Sequence, residues 1–197
     1  MKIAVMVEGK TETAFKPTLQ NFLKSRLQEM PRLHFISYDG RIPKETKLRR
    51  DVENLLYTHE AVIALTDVYT GTDDFTDASD AKTKMAHWAG QNPKFYPHAA
   101  QYDFEAWLLP YWSTIQALAK HNRTAPSGQP EQVNHNNPPS YRIKEIFELG
   151  KSRSYSKTRD ATSILKKNDL LVSARICPEL KAFLNTILSL CGGAIIS

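Results

Sequence analysis

Two short apolar runs, each ending at an acidic residue, dominate the hydrophobic pattern of the first third of the chain. Lys2–Val7 is almost continuously apolar and is followed by Glu8, and Ala61–Thr66 repeats the pattern before Asp67. Runs of this length predict strands that are buried on both faces, as in a parallel sheet. We therefore expect these two strands to be adjacent and parallel.

Helical and strand patterns alternate around these runs. An apolar stripe beginning at Phe15 predicts an amphipathic helix, which we start near Thr13 so that Pro17 falls in its first turn. Further segments continue the alternation, with strands over Leu33–Tyr38 and Phe95–Tyr102 and helices over Glu45–Tyr57 and Ala81–Trp88. Such alternation predicts an α/β fold with a Rossmann-like parallel sheet flanked by helices.

The second half of the chain is less regular, and it suggests a division into three parts. We expect residues 1–121 to form the α/β core. Residues 122–139 are rich in Pro, Asn, Ser and Gln, which predicts a loop or lid. Residues 140–197 are expected to form a basic helical extension packed on the core, with a clear helix between Pro178 and Gly192. Cys177 and Cys191 fall at the two ends of that helix, too far apart for a disulfide.

Charge adds a class of partner to this picture. Lys and Arg outnumber Asp and Glu by 26 to 21, a net charge of +5 that favours a polyanionic partner. Six cations are concentrated in what we call the basic run: Arg142, Lys144, Lys151, Arg153, Lys157 and Arg159. We expect the basic run, together with Lys10, to bind the nucleic acid backbone.

The apolar segments also bear on location. None approaches the ~18 apolar residues that a membrane span needs, and the first run is too short for a secretory signal. Two unpaired cysteines suit a reducing compartment. We therefore expect a cytoplasmic protein without a membrane partner.

Three carboxylates fall where predicted strands end. Glu8 and Asp67 follow buried strands directly, and ligands of open parallel sheets bind at this edge. Glu105 lies just beyond a third strand end, and the three together would offer oxygen ligands to Mg²⁺ or Mn²⁺. Acids at such places also serve as turn formers and helix caps. We interpret Asp103 as the cap of the helix that contains Glu105, and Glu12 as a favourable charge at a helix start.

The sequence lacks the motifs of nucleotide hydrolysis, zinc binding and nucleophilic catalysis. Val7–Thr11 resembles the end of a phosphate-binding loop, but the upstream glycine of that motif is missing. The histidines have no zinc-type spacing, and no nucleophile motif of the G-x-S-x-G kind is present.

Four short motifs, taken in order, resemble the Toprim superfamily and a bacterial family within it. They are V-E-G-x-T-E at Val7–Glu12, D-x-Y at Asp67–Tyr69, F-E-A at Phe104–Ala106 and Y-x-K at Tyr155–Lys157. Toprim domains serve in topoisomerases, primases and nucleases of the overcoming-lysogenization-defect group, where a strand-one Glu and a D-x-D pair handle magnesium and proton transfer. The resemblance therefore implies a Toprim-like fold.

The same resemblance implies roles for particular residues. Glu8 and Asp67 match the Toprim metal and catalytic positions. Tyr69 stands where the second Asp of D-x-D belongs, so Glu105, or else Asp73 or Asp74, would have to substitute for it.

Two functions follow as hypotheses. The first is a metal-dependent nuclease in which Glu8, Asp67 and Glu105 are the catalytic and metal-binding residues, and Lys157 neutralises charge on the scissile phosphate. The alternative is a non-catalytic subunit that keeps the Toprim scaffold, binds nucleic acid or an ATPase partner, and has lost full metal competence with the D-x-Y change. The resemblance implies such a partner, because members of these families often occur beside ATPase partners in phage-defence loci. Convergence of the three carboxylates on one point would favour the enzyme.

Overall fold

Four parallel strands form one sheet in a computed structural model of the chain, which describes residues 1–38, 40–69, 73–134, 137–151 and 153–197, without the side chains of residues 10–13. The strands are β1 Lys2–Val7, β2 Arg32–Ser37, β3 Ala61–Asp67 and β4 Phe95–Ala100, in the order β2-β1-β3-β4. β1 lies between β2 and β3, and Val7 is opposite Leu65. The prediction that the first two apolar runs are adjacent and parallel is confirmed.

Helices connect and follow the strands. The α-helices of the described residues are α1 Lys10–Lys24, α2 Glu45–Leu56, α3 Ala78–Trp88, α4 Trp112–Ala119, α5 Pro139–Leu149, α6 Lys157–Lys166, α7 Leu170–Ile176 and α8 Pro178–Leu190. Two 3₁₀ helices, Phe104–Tyr111 and Pro130–Gln132, lie among them. None of these helices is both long enough and apolar enough to cross a membrane.

The first helix differs from its prediction. α1 begins at Lys10 rather than near Thr13, so Pro17 lies inside the helix. An interior proline costs about 3 kcal/mol. Burial of Phe15, Leu19 and Leu23 in the core offsets that cost, because each such side chain contributes about 1.5–3 kcal/mol.

Helices cover both faces of the sheet. On the face that we call the α2 face, α2 and α3 pack on alternate strand residues such as Met6 and Ala64. On the opposite face, the α8 face, α1 and the helices from Phe104 to α8 pack on Val7 and Leu65. The predicted α/β architecture, a parallel sheet flanked by helices, is therefore confirmed.

Late segments of the chain contribute directly to the core on the α8 face. The ring of Phe183 in α8 lies 6.3 Å from that of Phe15 and 6.2 Å from that of Trp107. Between residues 122 and 139, Glu131 is buried and accepts a hydrogen bond of 2.8 Å from Trp107 Nε1. Cys177 and Cys191 are both free thiols.

Candidate active site at the carboxyl edge of the sheet

β1 and β3 are the neighbouring strands between which the strand order of the sheet reverses. β2 lies on one side of β1 and β3 on the other, and ligands of open α/β sheets bind in the crevice at such a switch point. Because Val7 is opposite Leu65, Glu8 is level with Thr66, and Asp67 lies one residue further along. Successive strand residues point to opposite faces, so Glu8 and Asp67 fall on different faces of the sheet.

Glu8 lies on the α2 face in a polar setting. Glu8 is 7% exposed, and its carboxylate accepts a hydrogen bond from the Thr66 hydroxyl. Arg41, Lys44 and Asp74 line the same narrow cavity. Asp74 forms ion pairs with Lys44 at 2.5 Å and with Arg41 at 3.9 Å. Arg41 and Lys44 are therefore cations beside Glu8 that the sequence analysis missed, because they lie outside the basic run.

Asp67 lies on the α8 face. We define the acid–lysine cluster on this face as Asp67, Asp103, Glu105, Tyr155 and Lys157. Glu105 is completely buried at the centre of this cluster. Its Oε2 accepts a hydrogen bond of 3.3 Å from Lys157 Nζ, and its Oε1 accepts one of 3.2 Å from the Tyr155 hydroxyl. Tyr155 and Lys157 can share this partner because Ser156 between them is extended.

Asp103 is the member whose role the sequence analysis misjudged. It occupies the N-cap position of the 3₁₀ helix Phe104–Tyr111, but its side chain makes no capping hydrogen bond there. Instead its Oδ2 accepts a hydrogen bond of 3.1 Å from the Ser140 backbone N–H, in the first turn of α5. Its Oδ1 is buried and has no hydrogen-bond partner within the described part of the chain. Asp103 therefore holds the predicted N-cap position, but its side chain hydrogen-bonds to the start of α5 instead of capping the 3₁₀ helix.

The cluster shifts the pKa values of its members. Burial and then the charge of Asp103 raise the pKa of Glu105 to about 7, although Lys157 acts in the opposite direction. Burial also raises the pKa of Asp103. For Lys157, burial acts to lower the pKa, but the carboxylates of Glu105, Asp103 and Asp67 outweigh it and raise the pKa. Lys157 therefore stays charged at neutral pH, while Glu105 titrates near neutrality.

Lys157 is placed where helix packing alone would not favour it. It is the first residue of α6, and a positive charge at a helix N-terminus opposes the helix dipole. Its side chain is nevertheless 53% exposed while Nζ contacts buried Glu105. The Lys157 side chain thus lies between the buried acids and solvent, on the side from which a substrate would bind.

Two arginines of the basic run serve the fold. Asp160 has a fully buried side chain, and it accepts hydrogen bonds from Arg153 at 2.7 Å and Arg159 at 3.2 Å. It also accepts one of 2.7 Å from the Ser156 backbone N–H at the start of α6. The single charge of Asp160 therefore offsets part of the charge of these two arginines, although the side chain of Arg159 is 56% exposed.

The other predicted backbone-binding residues are mixed in character. Arg142 and Lys144 lie 3.7 Å from Glu145 and Glu148, respectively, on α5. Lys151 is exposed just after α5, in the left-handed conformation at φ 51°. The side chain of Lys10, like that of Glu12, lies outside the described residues. Binding of nucleic acid by the basic run stays a prediction.

The predicted metal ligands are not brought to one point. Within the described ranges, no group of three His, Cys, Asp or Glu side chains could hold a metal ion. Glu8 and Asp67 lie on different faces, and both oxygens of Glu105 have hydrogen-bond partners. Magnesium, however, usually binds one or two carboxylates and completes its shell with water and substrate phosphates. Glu8 and Asp67 end neighbouring strands, and Oδ1 of Asp103 has no partner in the described part of the chain. One or two of these acids would suffice for such a cation, so the metal site stays a prediction.

Residues 7–188 match the family described as Domain of unknown function (DUF4276). The chain belongs to this family. The match runs from the end of β1 into α8, and it therefore includes both Glu8 and the acid–lysine cluster. No curated protein matches the chain significantly.

Solved structures relate this DUF4276 chain to two other proteins. The C-terminal region of the Burkholderia pseudomallei OLD protein aligns with a TM-score of 0.52 at 14% identity, over 94% of this chain and 98% of that one. The C-terminal region of the Xanthomonas campestris pv. campestris OLD protein aligns with a TM-score of 0.43 at 13% identity, over 94% and 97%. The first of these likenesses confirms the predicted fold, a parallel sheet flanked by helices, and at 14% identity it shows the fold alone.

Proposed function

We propose that this protein is a metal-dependent nuclease that hydrolyses phosphodiester bonds in nucleic acid. The observation that carries the proposal is the acid–lysine cluster. Buried Glu105 is held by Tyr155 and by a half-exposed Lys157, at the sheet edge where ligands of this fold class bind. A buried acid with a perturbed pKa beside an accessible cation is a common feature of active sites.

Each group has a role in this proposal. Glu8 and Asp67 would hold Mg²⁺ or Mn²⁺, which when bound would activate water and stabilise the leaving oxygen. The ammonium group of Lys157 donates hydrogen bonds to a phosphate oxygen of the substrate. Glu105, with its pKa of about 7, can accept and return a proton near neutral pH. Tyr155 keeps the carboxylate of Glu105 in position.

The nucleic acid backbone would follow the cations around this edge. Arg41 and Lys44 lie beside Glu8, and the exposed members of the basic run lie on the α8 face. Such contacts are independent of sequence and weaken with salt. The resemblance to the overcoming-lysogenization-defect group leads us to propose, in addition, a cytoplasmic location and an ATPase partner in phage defence.

Single-turnover cleavage of labelled DNA and RNA with Mg²⁺ tests the enzyme. We expect Glu8→Gln and Asp67→Asn each to lower the rate by about 100-fold or more, because each loses a metal-binding charge. The matched control is Glu29→Gln, an exposed acid before β2 at the opposite edge of the sheet, which should cleave at the wild-type rate. Cleavage that persists in EDTA, or that is equal in all three variants, would contradict the proposal.

Two observations favour a second candidate, a non-catalytic subunit that binds nucleic acid or an ATPase partner. Tyr69 replaces the second acid of D-x-D, and the described residues include no three-ligand metal group. The same assay separates the candidates. A wild-type protein that binds nucleic acid with Mg²⁺ present but never cleaves it would support the second.

A further inference from the structure

Two tyrosine side chains pack together where β3 and β4 end. The ring centroids of Tyr69 and Tyr102 are 5.3 Å apart, and the ring planes are inclined by 49°. The Tyr69 backbone N–H donates a hydrogen bond of 2.7 Å to the Tyr102 carbonyl. The pair is thus fixed to the sheet two residues after Asp67 and directly before Asp103, beside the acid–lysine cluster.

Neither tyrosine is explained by core packing. Tyr69 is 45% exposed, unlike Val68 before it, which is buried on the α2 face. Tyr102 adopts the left-handed conformation at φ 70°, where a bulky residue is unusual and which recurs at functional sites. The pair thus combines an exposed ring with a half-buried ring on a left-handed backbone, and it needs an explanation outside the core.

A groove of about 630 Å³ begins at Tyr102. Tyr102 lines this groove with Gln129, Gln132, Arg175 and Lys181. Within the described part of the chain, Arg175 and Lys181 form no ion pair. The groove therefore offers an aromatic face, amide groups and two cations along one path.

The acids of the same groove are occupied by the protein itself. Glu131 accepts hydrogen bonds from Trp107 Nε1 and from the backbone N–H of Glu179 at the start of α8. Glu179 pairs with Lys82 at 2.7 Å. Lys82 neutralises Glu179, and N–H groups satisfy the carboxylate of Glu131. Neither acid pairs with Arg175 or Lys181 in the described part of the chain, so the two groove cations remain to attract an anion.

We propose that Tyr69 and Tyr102 stack on an unpaired nucleobase, so that nucleic acid reaches the acid–lysine cluster as a single strand. The inference rests on the proposed function, because it specifies the substrate of the same site. Unpaired bases stack on exposed aromatic rings with little sequence preference, and cations hold the adjoining phosphates. Bases inside a duplex present no free face. In this account the D-x-Y position gains a stacking group where D-x-D would supply a ligand.

Binding measured by fluorescence anisotropy in EDTA tests the inference apart from catalysis. The probes are a labelled single strand of about 12 nucleotides, its duplex, and the same strand with abasic sites, each made as DNA and as RNA. We expect the wild-type chain to prefer the single strand to both other probes. Tyr69→Ala should bind the single strand about 5- to 100-fold more weakly, because it loses one stacked base. Tyr69→Phe keeps the ring and should bind like wild type.

Tyr57→Ala is the matched control, because Tyr57 is 86% exposed at the end of α2 and precedes β3 at the opposite edge of the sheet. It should leave all affinities unchanged. Tyr102→Leu, compared with Tyr102→Phe, tests the second ring if Tyr69→Ala unfolds. Equal affinity for the normal and abasic strands, a preference for duplex, or wild-type binding by both Tyr69→Ala and Tyr102→Leu would overturn the inference.

The two proposals can fail separately. Tyrosine-dependent binding of single strands without any metal-dependent cleavage would remove the nuclease and keep the stacking site. Metal-dependent cleavage that needs Glu8 and Asp67, but is unchanged by Tyr69→Ala and by abasic substitution, would keep the nuclease and remove the stacking site.

Discussion

At the scale of single residues, Glu105 is the group of the candidate site whose charged form costs the fold the most stability. Its carboxylate is completely buried and lies in the field of Asp103, and these two effects raise its pKa to about 7. A carboxyl group whose pKa is higher in the folded than in the unfolded state binds its proton more tightly when folded. Its contribution to stability is therefore complete below pH 4.5 and is lost as the pH rises through about 7.

Replacement of Glu105 by Gln should remove this loss. In metal-free buffer, we expect the free energy of unfolding of Glu105→Gln to fall less between pH 5 and pH 8 than that of the wild type, by on the order of 1–3 kcal/mol. Urea unfolding at several pH values measures the difference. Glu29→Gln, at an exposed acid, should follow the wild-type curve. Parallel curves for Glu105→Gln and wild type would mean that Glu105 does not carry the raised pKa.

At the scale of elements, α6 presents Lys157 to Glu105 and is fixed by a separate buried acid. Burial acts to raise the pKa of Asp160, but Arg159, the Ser156 N–H and Arg153 outweigh it and lower the pKa. Two cations of the basic run thus stabilise the start of the helix. Lys157, by contrast, is a cation of the basic run whose Nζ contacts Glu105 in the candidate site.

Lys157→Ala should therefore affect cleavage, and Arg153→Ala should affect stability. Lys157→Ala should lower single-turnover cleavage by about 100-fold or more and change stability little, because Glu105 can take up a proton instead. Arg153→Ala should lower the free energy of unfolding by on the order of 1–3 kcal/mol, less than the full cost of a broken buried pair because Arg159 remains. Cleavage per folded molecule should persist.

The control for both variants is Lys166→Ala, which removes an exposed cation from the last turn of α6. It should alter neither quantity. If Lys157→Ala and Arg153→Ala weakened nucleic acid binding alike and left the chemical step intact, Lys157 would be one backbone-binding cation among several.

The limits of sequence-based prediction also appear at this scale. The strands of the sheet follow from apolar runs, and the acids at their ends follow with them. The faces on which Glu8 and Asp67 lie depend on a single residue of register between β1 and β3. Hydrophobic pattern does not set that register where both faces are buried. Asp103 was misassigned for a related reason, because its partner Ser140 lies far along the chain.

At the scale of the whole molecule, the core on the α8 face joins the beginning and the end of the chain. It contains residues of β1 and α1 together with residues of α5, α6, α7 and α8. The ring of Phe183 contacts both Phe15 and Trp107. The 3₁₀ helix that carries Glu105 is buried between the sheet and these late helices. The candidate site therefore depends on a core that residues 1–121 form only in part.

A chain cut after residue 121 should consequently fail to fold on its own. It would expose Phe15, Trp107 and the α8 face of the sheet, and each such side chain loses about 1.5–3 kcal/mol of burial, which together approach the stability of a whole domain. We expect urea titrations followed by circular dichroism to give no cooperative transition for residues 1–121. Addition of a separate 122–197 chain should restore a transition like that of the intact chain. A cooperative transition of residues 1–121 alone would instead make the predicted α/β core an independent domain, with residues 140–197 packed on a surface that is stable without them.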